Sequence, residues 1–410
     1  MSILFISLII PFLIWGPFFP DLIISLSAFV FLIYVIRKKA FFYFNNKSLI
    51  IFFIFCLYCI LLSIFVAKNT LLSLQSSLFY FRIGIFACLI WYLIEKNKKI
   101  LNYFYYALVI CFLALVVDGY IQFFRGFNII GLPANGDRIS SFFGNELIMG
   151  SYLSRLFPLL FALFLLKKKS KLEVYFVGSL YVLIDVLIYV SGERASFLFL
   201  NLSTLFIIIL IKKYQKFRLI TFVFSTILIV GLTLGSDKLA NRMIKSTLDG
   251  IRSSEDVKTF NIFTAQHDSL IKTGYKIFLD KPLIGHGPKM FRVICKDDKY
   301  AVGTHSCDTH PHNFYVQLLA ETGIIGFSFL FIAFAYVLYC AYRQFKSIVL
   351  RQKRYLTDYQ VCLLAGILIT VWPLTTNGNF FNNWLMIVYS LPVGFYLHSI
   401  YGNNRKNISF

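Results

Sequence analysis

Charge is what this sequence has least of. Aspartate, glutamate, lysine and arginine together make up 14% of its 410 residues, well below the roughly 25% of an ordinary soluble domain. With 58% hydrophobic and 19% aromatic residues beside it, that scarcity excludes a water-soluble globule. There is no internal repeat, no low-complexity tract and no stretch that reads as a second soluble domain, which excludes repeat arrays and linker-joined modules. The first apolar run, Ile3 to Trp15, has neither a basic start nor an A-x-A-like cleavage site, so it reads as a retained helix and not a signal peptide.

What is present is a series of long apolar runs, each close to the roughly 20 residues a helix needs to cross hydrocarbon. The expected class is an all-α polytopic membrane protein of about twelve crossings, at 2–17, 21–36, 48–67, 76–94, 101–123, 146–166, 172–190, 195–211, 218–235, 323–342, 358–376 and 381–400. The net charge of +21 does not indicate nucleic acid, because lysine and arginine fall in short clusters between runs: 37–39, 96–99, 167–171, 212–218 and 343–354. Every second loop is basic and the alternate short loops are not, which predicts cytoplasmic basic loops and two cytoplasmic termini in a bacterial inner membrane. The long connection, about 236–322, then falls on the periplasmic side and is too long to lack structure of its own. Three parts follow: a bundle of about nine helices over 1–235, a cap with short helices over 236–322, and about three helices over 323–410. Within the cap, Leu270, Ile271, Gly274, Tyr275 and Phe278 recur at helical spacing with Lys272 and Lys276 outside the stripe, predicting an amphipathic helix ended by Pro282.

The stretch Cys-Asp-Thr-His-Pro-His-Asn at 307–313 is the most informative in the chain. Pro311 suits the first position of a helix, which makes His310 the expected N-cap and places His312 in the first turn. A helix start favours neutral imidazole and offers free backbone donors to phosphate, so a general base at His312 and an anion site can share a few residues. His310 and Asn313 are candidate substrate contacts beside it, and along the helix Asn313, Gln317 and Glu321 share a face. The alternative for both histidines is a solvated loop-to-helix junction.

Arg194, at the outer end of the seventh run, can grip a phosphate with two donors, or else pair with Glu193 or snorkel to headgroups. Arg82 and Arg155 sit near outer helix ends, where they can line the same cavity or pair with Glu146. Asp118 and Asp185 are intramembrane carboxylates that need partners the sequence does not name. Six of the eight cysteines lie in apolar runs; Cys295 and Cys307 alone lie in a polar segment, where an oxidising compartment predicts a disulfide. His305, Cys307, His310 and His312 also form a dense cluster that invites zinc, but its spacing matches no common zinc pattern, and neither metal nor cofactor is expected. The turn Pro282-Leu-Ile-Gly-His-Gly-Pro288 is Gly-rich but lacks the Lys-Ser/Thr that completes a nucleotide-binding loop.

Taken together these features resemble the O-antigen ligase and O-antigen polymerase family of membrane glycosyltransferases. The resemblance rests on Arg194 with Leu198 four residues on, His312 with Gly323 eleven on, the Pro-x-x-Gly-x-Gly turn at 282–287, and one large loop late in the chain; it covers roughly residues 140 to 330. It implies metal-independent transfer from an undecaprenyl-diphosphate-linked glycan to a sugar hydroxyl of lipid A-core or of a second lipid-linked glycan. The residues are compatible with this: with His312 as the base and Arg194 stabilising the departing diphosphate as catalytic residues, a single displacement would invert the anomeric centre. Members of the family often carry an arginine about fifteen residues before the turn's proline. Here that position is His267, so His267 or nearby Lys272 would have to take its place. The competing class is a transporter or flippase of lipid-linked oligosaccharides, which more often shows related halves and broken helices around a midplane site.

Overall fold

The computed structural model describes residues 3–136, 138–166, 170–252 and 263–402. Every named element in it is helical: α1 (Ile3–Ser7), α2 (Ile9–Trp15), α3 (Phe18–Lys38), α4 (Lys47–Phe65), α5 (Thr70–Ser77), α6 (Arg82–Lys96), α7 (Lys99–Arg125), α8 (Met149–Leu165), α9 (Lys171–Val190), α10 (Arg194–Leu210), α11 (Gln215–Leu234), α12 (Asp237–Ala240), α13 (Ser246–Arg252), α14 (Ala265–Asp280), α15 (Phe291–Ile294), α16 (Phe314–Val349), α17 (Asp358–Thr370) and α18 (Asn383–Leu397). Among the described residues, eight helical stretches are long and apolar enough to cross a membrane, and four shorter apolar ones, Leu4–Trp15, Met149–Leu165, Arg194–Leu210 and Asp358–Thr370, overlap the other four expected runs. The protein is an all-α polytopic membrane protein.

Composition around each helix decides its place. α8 is largely apolar and buried along its whole length except Ser151, with α7, α9, α10, α17 and α18 packed around it. α11 instead leaves Leu219, Ile220, Val223, Phe224 and Ile227 exposed, as suits a helix that faces lipid. The intramembrane carboxylates find neutral partners: Asp118 accepts from the Ile129 N–H and the Ser141 hydroxyl, and Asp185 from Asn201 and Ser225.

The described part of 236–322 has a small core of its own, Leu270, Ile277, Phe291, Cys295, Tyr300 and Ala320. α14 supplies two of these residues, and its buried face is Leu270, Thr273, Gly274 and Ile277, one step round from the expected stripe, with Tyr275 left 52% exposed. On this face α14 packs closely on α16: a Cβ on Gly274 would come 2.6 Å from the Val316 side chain.

α16 starts later than the sequence predicts. Asn313 is the N-cap, its Oδ1 accepting from the N–H groups of Tyr315 and Val316 at 3.0 and 3.2 Å, so His310, Pro311 and His312 lie in the lead-in and His312 has φ 55°. An asparagine can cap two free N–H groups, which a histidine does poorly. α16 then breaks at Gly323, with φ 64° and ψ −170°. The 282–287 turn fills that break. The N–H groups of His286 and Gly287 donate to the carbonyls of Ala320 and Glu321, and that of Ile324 donates back to Pro282. Two motifs that stand 36 residues apart or more in sequence are therefore one structural joint.

Candidate active site

Five of the expected site residues gather at the end of the bundle that carries 236–322. The His312 ring lies 4.1 Å from that of His310 and 5.2 Å from that of His267, and its Nε2 is 3.1 Å from the Asp308 carboxylate. His267, His312, His305 and Asp308 line an open cavity of about 350 Å³. The Cys295–Cys307 disulfide borders it. With its sulfur so engaged, Cys307 has no thiolate to offer a metal.

On the other side, the His312 carbonyl accepts from the Asn377 N–H at 2.8 Å, and Asn377 lines a second cavity of about 470 Å³ that reaches Ala195 and Ser196 at the start of α10, next to Arg194. Arg155 lies in its wall, buried, with Nη1 donating to the Ile369 carbonyl, Nη2 to Asn377 Oδ1, and the guanidinium 3.8 Å from the Tyr389 ring centroid. Its Nε is buried without a partner.

Arg194 does not pair with Glu193. That carboxylate turns toward the start of α8, where it accepts from the N–H groups of Gly150 and Ser151 and from the Ser196 hydroxyl, a placement the helix dipole favours. Arg194 instead donates Nη2 to the Arg242 carbonyl at 2.7 Å. The guanidiniums of Arg194, Arg242 and Arg138 lie close enough to repel one another, and the Nε of each is buried without a partner. Burial lowers the pKa of Arg138, Glu193 opposes this, and Arg242 lowers it further. Arg138 and Arg242 were not evident from sequence: each stands in a loop or short helix, and only folding brings them to Arg194.

Three other candidate residues are engaged within the fold. Arg82 forms an ion pair with Asp21 and reaches Ser25, joining α6 to α3 instead of lining a cavity or meeting Glu146. Lys272 pairs with Asp268 one turn back on the exposed side of α14, so of the two stand-ins for the family's arginine only His267 lies beside His312. Asn313 is 4% exposed and fully engaged, capping α16 with its oxygen and donating Nδ2 to the Pro373 and Thr375 carbonyls; it holds the 371–382 loop and leaves no atom for substrate. On the same face, Gln317 donates Nε2 to Asn379 of that loop and to Glu321, whose carboxylate also accepts from the Phe291 N–H.

Residues 178–331 match the family model described as O-antigen ligase. The chain carries an O-antigen ligase family domain. It runs from within α9 to the part of α16 beyond its break and takes in Arg194, Arg242, His267, the 282–287 turn, His312 and Gly323, while Arg138 and Arg155 lie before it. No sequence among curated proteins matches the chain.

His310 makes the domain's lead-in sensitive to acid. Burial, then the neighbouring His312, pushes its pKa down from the ordinary 6.5 to about 3, against the pull of Asp308. The folded state therefore binds fewer protons than the unfolded one below about 6.5, so stability falls as pH falls through that value. Between pH 7 and pH 5 the expected loss from His310 is about 2 kcal/mol, and His267 and His286, both lowered chiefly by burial, add in the same direction. Thermal unfolding in detergent across that range checks this, and His310→Gln should flatten the slope.

Proposed function

We propose that the protein transfers a glycan from undecaprenyl diphosphate to a sugar hydroxyl of lipid A-core or of a second lipid-linked glycan, at the periplasmic face of the bacterial inner membrane. The observation that carries this is the convergence of Arg138, Arg194 and Arg242. Three guanidiniums face one nearby carboxylate, Glu193, which offsets Arg138 while it is bonded to the start of α8; the remaining positive charge is best relieved by a multiply charged anion, and a diphosphate emerging from the bilayer has that chemistry. The alternation of basic and non-basic loops supports a periplasmic position for this end and cytoplasmic termini.

In the reaction, a ring nitrogen of His312 takes the proton of the acceptor hydroxyl, whose oxygen attacks the anomeric carbon as the bond from that carbon to the diphosphate breaks. The electron pair leaves with the diphosphate, where the arginine cluster stabilises the growing charge. One displacement inverts the anomeric centre. The guanidiniums supply the positive charge that the leaving group needs, so we infer a metal-independent transfer. The cavity that His312 lines, and the second one lined by the Asn377 that bonds its carbonyl, would give the acceptor and donor glycans separate approaches.

Arg242→Gln separates the guanidinium from the backbone, since the Arg242 carbonyl that anchors Arg194 is retained. It should lower transfer about 10-fold, read as surface-glycan assembly in a deletion strain complemented with the variant. In the uncomplemented strain, lipid-linked polymer accumulating while lipid A-core carries none indicates a ligase, and core bearing a single repeat indicates a polymerase. An unchanged profile of every surface glycan overturns the proposal.

A further inference from the structure

We propose that Asp308 is a positioning residue that sets which nitrogen of His312 receives the proton, and that the Cys295–Cys307 disulfide holds Asp308 where it can do so; this rests on the reading of His312 as the base. Asp308 Oδ2 lies 3.1 Å from His312 Nε2. Burial alone would raise the Asp308 pKa, but the Thr309 N–H and His312 outweigh it and hold the carboxyl below its usual range, so it is ionised and can only accept. The hydrogen between the two groups therefore belongs to Nε2, and Nδ1, which has no hydrogen-bond partner among the described residues, carries the lone pair. The base is thus assigned to Nδ1.

The backbone around this pair is pinned. His312 sits at φ 55°, in the uncommon left-handed region, and its carbonyl is fixed by Asn377. Asp308 directly follows Cys307, and the disulfide ties Cys307 to Cys295, which is 2% exposed in the small core beside α15. The exposed segment that bears Asp308 is thereby fastened to packed structure one residue away. The His267 and His310 rings lie 5.2 and 4.1 Å from the His312 ring, which limits its rotation.

The test uses the full chain in nanodiscs, with a lipid-diphosphate-linked donor and its acceptor. Asp308→Asn should lower kcat about 10- to 100-fold with KM for both substrates little changed, and Asp308→Glu should restore part of the loss. In selectively ¹⁵N-labelled protein the His312 signals should report protonated Nε2 and unprotonated Nδ1 in the wild type, and a mixture in Asp308→Asn. The Cys295→Ser/Cys307→Ser variant should show the same mixture with a smaller loss of kcat. If His312→Ala is inactive yet Asp308→Asn keeps wild-type kcat and the wild-type nitrogen signals, the positioning role is overturned and the base reading survives. If His312→Ala is active, the base reading fails and this inference with it.

Discussion

Replacing His312 with alanine should abolish transfer, with kcat falling about 10²- to 10⁴-fold, the usual contribution of a positioned general base. Its backbone role should survive, because the bond that fixes this residue runs from the Asn377 N–H to the His312 carbonyl and any side chain keeps it. Alanine is a poor occupant of φ 55°, so His312→Asn is the better control: asparagine accepts the left-handed conformation readily and lacks a comparable base. Both variants should reach wild-type levels in the membrane and neither should transfer glycan. KM for donor and acceptor should change little, since the arginine cluster and the cavity walls remain. A variant that folds and still turns over at the wild-type rate would remove the base from His312 and send the search to His267 or His310, whose rings lie within 5.2 Å of it.

The membrane bundle was readable because hydrophobic runs are long and need no partner to be recognised. Each expected run overlaps a helix of the structure, or two in the case of 2–17 and 76–94, and the runs include α8, α10 and α17, which at 17, 17 and 13 residues are shorter than a full crossing. The start of α16 was misplaced by three residues because two capping signals compete there, and the one with two hydrogen bonds, Asn313, prevails over Pro311. The site was only half readable for a similar reason. Motif spacing marks Arg194 and His312 one at a time, but it carries no information on what stands across a cavity. Arg138 and Arg242 lie 56 and 48 residues from Arg194 in the two directions, and nothing local distinguishes them from the other basic residues. Spacing also does not reveal that Asp21 and Asp268 stand beside Arg82 and Lys272 and pair with them in the fold.

The 282–287 turn and the break in α16 carry the other large prediction. At Gly323 a Cβ would lie 2.3 Å from the Leu283 carbonyl carbon and oxygen and 2.5 Å from the Ile284 nitrogen, all backbone atoms that cannot rotate away. The conformation itself, φ 64° with ψ −170°, is one that essentially only glycine adopts, at a cost of about 1–3 kcal/mol for any other residue. Gly323→Ala therefore leaves two outcomes. Either α16 straightens through residue 323 and expels the turn, so that the bonds from His286 and Gly287 to Ala320 and Glu321 are lost, or the chain fails to fold. Loss of those bonds frees the loop that leads to α15, to the disulfide and so to Asp308 and His312. We expect a drop in thermal midpoint equivalent to at least about 3 kcal/mol, the sum of strain and lost backbone bonds, together with loss of transfer. Gly131→Ala is the matching control: it also has positive φ, 87°, but a Cβ there meets nothing within 4 Å, so it bears the conformational cost without the clash. If the two variants unfold at the same temperature, the contact between turn and helix is not what makes Gly323 necessary. If Gly323→Ala alone loses both stability and activity, the break in α16 is the joint through which the loop-bearing end of the bundle holds His312 in register with the arginine cluster.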